Sequence, residues 1–442
     1  MNYTKKWYKP ESTLLKVIVT ILLIVFIRLC SNIPVPYINK EYLSILFADK
    51  SAFSLINAFS GGAFTKMTFM ALSVTPYITA SIIMQLLTII FPKLIDIQKG
   101  SDSDRKRWER IQIVVGIALS ILQAVTMAIK YGKDGLISNY GFLSVFIVSL
   151  CWSVGAIIII LIGTYITKCC IGNGISIILT CNIIAELPSD VIAFYNAYIT
   201  NQTIKTIVIA CSIGVIIVLG LTIATVIFNN AQKEIPVIYS KSYSTSKTAT
   251  KNNSIIPIKL NIPGVMPVIF ASTIYSLPLM FLSNSQNKVA QAIIHFCSST
   301  YWFNTQYWYR SIGFIIYGAL VIFFAYFYTA MVFNTNEISQ NLKRSGACIP
   351  GIRPGQSTSN YLNSQSKYMT LIGAIYLFIL TQIPMIVSCF SRIKSFSFGG
   401  TSIIIIVSVI IETTLLIKSK FLYSSYSRRP KTGVNTKTST LF

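Results

Sequence analysis

The strongest constraint on this chain is the length of its uncharged stretches. Residues 135–167, 206–232, 260–287 and 311–336 contain no Asp, Glu, Lys or Arg. Each is longer than the roughly 20 apolar residues that carry a helix across a bilayer core. Inside hydrocarbon, backbone N–H and C=O groups have no water to bond, so stretches of this kind fold as helices that satisfy themselves. The composition agrees: 53% of residues are hydrophobic and 11% charged, with mean hydropathy +0.64, where a soluble domain carries about 25% charged residues. The chain therefore reads as an integral membrane protein.

Hydropathy gives ten spans, at 14–33, 70–92, 111–130, 142–166, 175–192, 206–228, 263–283, 311–333, 368–389 and 401–418. An even number puts both ends on one side. Most of the 37 Lys and Arg then fall on the side of the termini, including Lys5, Lys6, Arg105, Lys106, Arg107, Lys343, Arg344, Arg353 and a basic tail. The positive-inside rule makes that side the cytoplasm. The net charge of +24 is spread between apolar segments rather than over one folded face, which suits membrane orientation and anionic lipid better than nucleic acid. The first apolar run is not followed by a small-residue cleavage site, so it reads as a retained helix. Two cytoplasmic connections are long, 229–259 and 334–367. The middle of the first is rich in Ser, Thr, Lys and Asn and reads as flexible. The second carries Pro350, Gly351, Arg353, Pro354 and Gly355, a cluster that reads as a shaped tip.

Chemistry is sparse. Nine cysteines lie mostly in or beside apolar spans and form no C-x-x-C pair, which fits small packing residues. A single histidine, His295, rules out a metal site built on paired histidines. No nucleophile–base set, P-loop or carboxylate cluster stands out, and no cofactor is expected. Arg28 and Glu412 are the only deeply placed charges within spans. Arg28 is expected to snorkel to the outer interface, and Glu412 to pair locally or face a watery vestibule. So little intramembrane charge disfavours a secondary transporter of a small solute, which needs ionisable groups at depth. Between the first two spans, a short apolar stretch near Phe53–Phe59 is followed by Ser60, Gly61 and Gly62. It reads as a re-entrant segment, tolerated at membrane depth only where it is buried in protein or lines a cavity. A static scaffold would have no use for it. Ile159, in the fourth span, reads as facing lipid.

Several long, ordered runs resemble one family. These are FSGGAF at 59–64, ALSVTPYITASIIMQLLT at 71–88, IGNGISII at 171–178, PIKLNIPGVMPVIFAS at 257–272, NLKRSG at 341–346 with IPGIRPG at 349–355, and FGGTS at 398–402. They are similar to the SecY/Sec61-alpha family of protein-translocase pore subunits, over about residues 14–420. The resemblance implies an all-α membrane protein of ten helices in two pseudo-symmetric five-helix halves, 1–192 and 193–442. It implies a plug helix at about 51–65, involving Phe53, Leu55, Ile56, Phe59, Gly61 and Gly62. It places an apolar pore ring on Val74, Ile78, Ile175, Leu179, Val268 and Ile405, and a lateral gate on Gln85, Asn261 and Ser272. Lys343, Arg344 and Arg353 would contact the motor SecA or the ribosome. The implied activity is conduction of unfolded polypeptides, with sideways release of hydrophobic segments and no covalent step. SecE, SecG, signal peptides, translocating polypeptides and membrane lipids are the further implied partners; DNA is not one. The expected location is a bacterial plasma membrane, with a plastid thylakoid membrane as the alternative. Two departures stand out: the tip of the 229–259 connection has few basic residues, and Ser73 stands where the family usually has glycine.

Overall fold

The structure is a computed structural model that describes residues 13–39, 41–43, 54–170, 172–198, 204–239, 254–282, 288–297, 312–390 and 400–427. Ten membrane helices are present where hydropathy puts them. They are α1 (Thr13–Cys30), α3 (Thr75–Ile90), α5 (Asp102–Tyr131), α6 (Phe142–Cys169), α7 (Gly174–Tyr198), α8 (Ile204–Asn230), α9 (Met266–Leu282), α11 (Ile312–Val332), α13 (Gln356–Phe390) and α14 (Gly400–Ser427). Shorter helices lie between them: α2 (Ser54–Ser60), α4 (Pro92–Lys99), α10 (Lys288–Cys297) and α12 (Thr335–Arg344). Seven of the ten are long and apolar enough to cross a membrane on their own, and α3 and α9 are shorter apolar helices.

Where helix ends differ from the apolar boundaries, capping explains it. Hydropathy starts the third span at 111, but α5 begins at Asp102. The Asp104 carboxylate accepts from the Ser101 backbone N–H at 3.2 Å, and two aspartates in the first turn favour the positive end of the helix dipole. The helix thus forms in water and continues into the bilayer. α13 likewise starts at Gln356, twelve residues before the apolar span. α3 is shorter than its span: Pro76 in the first turn begins the helix rather than breaking it, because proline lacks only an N–H that would be unpaired there.

Helix contacts sort into two sets. α3, α5, α6 and α7 pack on one another, with α1 against α6; α9, α11 and α13 pack together, as do α8, α13 and α14. The sets meet along α3–α9 and along α7–α14. Large side chains fill each set, including Trp152, Tyr131 and Met127 in the first and Tyr317, Phe324 and Leu377 in the second.

At one end of the bundle the long connections form a small sheet, which hydropathy alone does not reveal. β1 (Gln232–Tyr239) pairs antiparallel with β2 (Ser254–Lys259), and its far end pairs with β3 (Ala347–Cys348), giving the order β2-β1-β3. Ile235, Val237 and Ile258 alternate onto one face and pack with Ala347, Ile349 and Leu362, the alternation expected of a half-buried strand. The Ser/Thr-rich tip, the basic tail and Phe53 lie outside the described residues.

Ile159 corrects the sequence reading. It is 1% exposed and belongs to the apolar cluster at the centre of the molecule, because α6 is covered by α5 on one side and α7 on the other. A uniformly apolar helix carries no periodic signal to tell its lipid face from its protein face. Gly155, one turn earlier, lets α6 touch the Phe69 carbonyl, which a Cβ there would strike. Gly155→Ala is expected to lower stability by about 1–3 kcal/mol through overpacking, read as a lower thermal midpoint of the detergent-solubilised protein.

Candidate functional site

The re-entrant expectation holds over the described residues. After α1 the chain is pinned by backbone pairs, Phe69 N to Ile33 O at 3.0 Å and Asn39 N to Leu136 O at 2.8 Å. α2 then enters the bundle, and 61–74 runs as consecutive turns into α3. Gly61 and Gly62 are both left-handed, at φ 64° and 83°. A Cβ on Gly61 would come within 2.8 Å of the Asn182 carbonyl, and one on Gly62 within 2.7 Å of the Glu186 carboxylate. Only glycine meets both demands.

Polar groups from α1 and α7 hold this segment. The Arg28 guanidinium donates to Cys181 O at 2.8 Å and Gly61 O at 3.4 Å. It therefore turns inward, where the sequence had it snorkelling outward, because the orphan carbonyls beside Gly61 offer acceptors a lipid interface does not. Asn57 Nδ2 donates to Glu186 Oε1 at 2.6 Å, and its Oδ1 accepts from Thr65 N. Asn182 Nδ2 donates to Phe59 O at 2.8 Å and to Ser73 Oγ at 2.9 Å, and Ser73 Oγ donates to Phe59 O at 3.1 Å. Ser73 is buried with φ 47°, a conformation that costs a non-glycine residue roughly 1–3 kcal/mol. A polar cavity of about 310 Å³ opens beside the segment, lined by Arg28, Asn57, Lys66 and Glu186 among others. Asn57, Asn182 and Glu186 are functional candidates that sequence reading missed, and Arg28 was singled out without its partners; polar residues facing one another across three helices leave no local pattern.

The six residues expected to form a ring are brought together. Val74 and Ile78 at the start of α3, Ile175 and Leu179 on α7, Val268 on α9 and Ile405 on α14 all belong to one buried apolar cluster, none more than 9% exposed. Phe59 of α2 sits in the same cluster, while Ile56 packs with Phe64 and Trp152 in a second one. Leu55 falls within α2.

The three gate residues separate. Gln85 lies on α3, with Nε2 donating to Ser81 Oγ at 3.4 Å and Oε1 buried without a hydrogen bond. Ser272 is fully buried on α9 and donates to Ile269 O. Asn261 precedes α9 and donates to Asn229 Oδ1 at 2.8 Å, and Asn229 donates to Ser408 Oγ at 2.6 Å. Those bonds join α8, α9 and α14 rather than the α3–α9 seam. Glu412, one turn beyond Ser408, is exposed.

Beside the sheet, Lys343 and Arg344 end α12 as exposed residues, where cations suit the negative end of the helix dipole. Arg353 is exposed on a loop made rigid by Ser339 Oγ to Gly355 O at 2.6 Å and Thr358 Oγ1 to Arg353 O at 2.9 Å.

Comparison with known proteins agrees with this architecture. The SecY family model matches residues 68–414. A protein translocase subunit SecY from Helicobacter pylori is 33% identical over 95% of this chain and 98% of its own length. Among solved structures, one described as a protein conducting channel superposes with TM-score 0.65 at 17% identity, covering 96% of this chain and 97% of that one. A second, with TM-score 0.64 at 17% identity and the same coverage, is of a channel whose plug domain is stated to stabilise the closed state and maintain a membrane seal. The chain belongs to the SecY family.

Proposed function

We propose that the chain is the pore subunit of a protein translocase, conducting unfolded polypeptides across a membrane and releasing hydrophobic segments sideways into lipid. One observation carries the reading: six aliphatic side chains from four helices of both sets converge on one cluster, and Phe59 of the re-entrant helix rests among them. An aliphatic waist holds back water and ions by dewetting, yet adapts to a passing chain because it has no fixed hydrogen bonds to break. α2 and the turn that follows it, with Leu55, Ile56, Phe59, Gly61 and Gly62, are the stopper in this reading. The α3–α9 seam, with Gln85 and Ser272 on its helices, is the side exit. Asn261 acts from the cytoplasmic end of α9. The halves divide near residue 192. A small-solute transporter finds no support, since the family is one of translocase subunits and Arg28 is engaged by backbone carbonyls.

The termini and the sheet face the cytoplasm of a bacterial cell, where Lys343, Arg344 and Arg353 meet SecA or a ribosome. SecE and SecG complete the complex. An open apolar groove of about 270 Å³ between α1, α7 and α14, lined by Val17, Ile21, Ile24, Ile184 and Ile410 among others, offers a seat for the membrane helix of a small subunit such as SecE.

Three measurements test the reading. Replacing Ile78 and Ile175 together by Asn is expected to raise the ion conductance of reconstituted bilayers several-fold, while Leu161→Asn, at a 41% exposed position of α6, leaves it unchanged. Wild-type conductance in a correctly inserted double variant would remove these residues from the waist. Arg353→Glu is expected to lower translocation into vesicles about tenfold by turning an attraction for an acidic partner surface into repulsion, with expression unaltered. Single cysteines at positions 246 and 357 are expected to label only from the cytoplasmic side, and those at 139 and 288 only from outside; labelling of 246 from outside would overturn the orientation.

A further inference from the structure

α2 is only seven residues long, so its last carbonyls have no partner within the helix. Gly61 N and Gly62 N reach back to Ala58 O and Asn57 O. Phe59 O is different. It accepts from Asn182 Nδ2 of α7 and from Ser73 Oγ of the turn before α3, and these two donors are joined to each other by the 2.9 Å bond. All three residues are buried, at 3% exposed or less. Withdrawal of α2 breaks the bonds to Phe59 O together and leaves its carbonyl to find other partners, while Asn182 keeps only Ser73. Such a loss is expensive in a dry site. The triangle exists only because Ser73 holds a left-handed backbone and so turns its hydroxyl toward α2. A glycine would take that backbone without strain but could donate nothing.

We propose that Asn182 and Ser73 are specificity-determining residues, a hydrogen-bonded catch on the plug that sets how strongly a polypeptide must engage the channel before it opens. The inference rests on the reading of α2 as the stopper. A segment that binds the side exit weakly cannot repay the lost bonds, whereas a strongly hydrophobic one can. The threshold therefore belongs to these two side chains as well as to the apolar waist.

The test uses the complete translocase carrying the variant chain, with three readouts. These are resting ion conductance in planar bilayers, translocation of a precursor with a weakened signal sequence, and the thermal midpoint in detergent. Ser73→Gly and Asn182→Leu are each expected to raise resting conductance about fivefold, the effect of losing one bond to Phe59 O, worth about 1 kcal/mol, from the closed state alone, and to admit the weakened precursor. Ser73→Gly is expected at the same time to hold or raise the thermal midpoint, because it releases the strained backbone. A purely structural serine would not give a leakier channel in a more stable protein. Ser73→Ala, which keeps the strain and removes the hydroxyl, is expected to leak without gaining stability. Deletion of residues 54–60 separates the two levels of the argument. If the deletion leaks while Ser73→Gly and Asn182→Leu both stay at the wild-type level, the catch is overturned and the stopper stands. If the deletion does not leak either, the stopper reading falls and the catch falls with it.

Discussion

Every backbone group that leaves water in this chain must find its partner inside the protein, and residues 54–74 are where that demand is hardest to meet. A spanning helix satisfies itself. A seven-residue helix followed by turns leaves carbonyls pointing at its surroundings, and the helices around it are arranged to receive them. Arg28 crosses from α1 to Gly61, Asn182 crosses from α7 to Phe59, and Asn57 reaches Glu186. Charges and amides that would be costly in lipid are stable here because the irregular segment supplies acceptors. The two oddities, buried polar side chains and non-helical backbone, offset one another.

The same segment joins the polar and apolar parts of the site. Phe59 places its ring with Val74, Ile78, Ile175, Leu179, Val268 and Ile405, while its carbonyl sits in the hydrogen-bonded triangle. One residue is thus held by two kinds of force with different character. Apolar contact is non-directional and tolerates small shifts, whereas the hydrogen bonds weaken steeply with angle. A helix held by both is seated softly by the first and placed by the second.

Much of this was legible in the sequence, and the parts that were not share a cause. The ten membrane helices followed from charge-free length. The re-entrant segment followed from a short apolar stretch ending in Gly61 and Gly62. The ring residues came only from family resemblance, since Val268 or Ile405 is indistinguishable by itself from any buried aliphatic residue. What escaped depends on partners far away in the chain. Arg28 was expected at the interface because its acceptor beside Cys181 is 153 positions distant. Ile159 was placed in lipid because α6 is apolar all round and its coverage is set by α5 and α7. The sheet was missed because Ala347 and Cys348, too short a strand to signal itself, complete it from a different connection.

The sheet formed by the two long connections changes the mechanics of that end of the molecule. β1 is shared: β2 borders one side of it and β3 the other, so the two long connections are a single body rather than two independent loops. The base of the hairpin is closed where Leu260 N meets Ala231 O at 2.9 Å, and only a few residues separate that point from the first turn of α9. The loop bearing Arg353 follows directly from β3 and continues into α13. Load applied at that tip is therefore shared between the root of α13 and the root of α9. α9 is the helix that lies on α3 across the seam between the two sets. The tip and the two helix roots thus form a lever, with its handle in water and its fulcrum at the membrane surface.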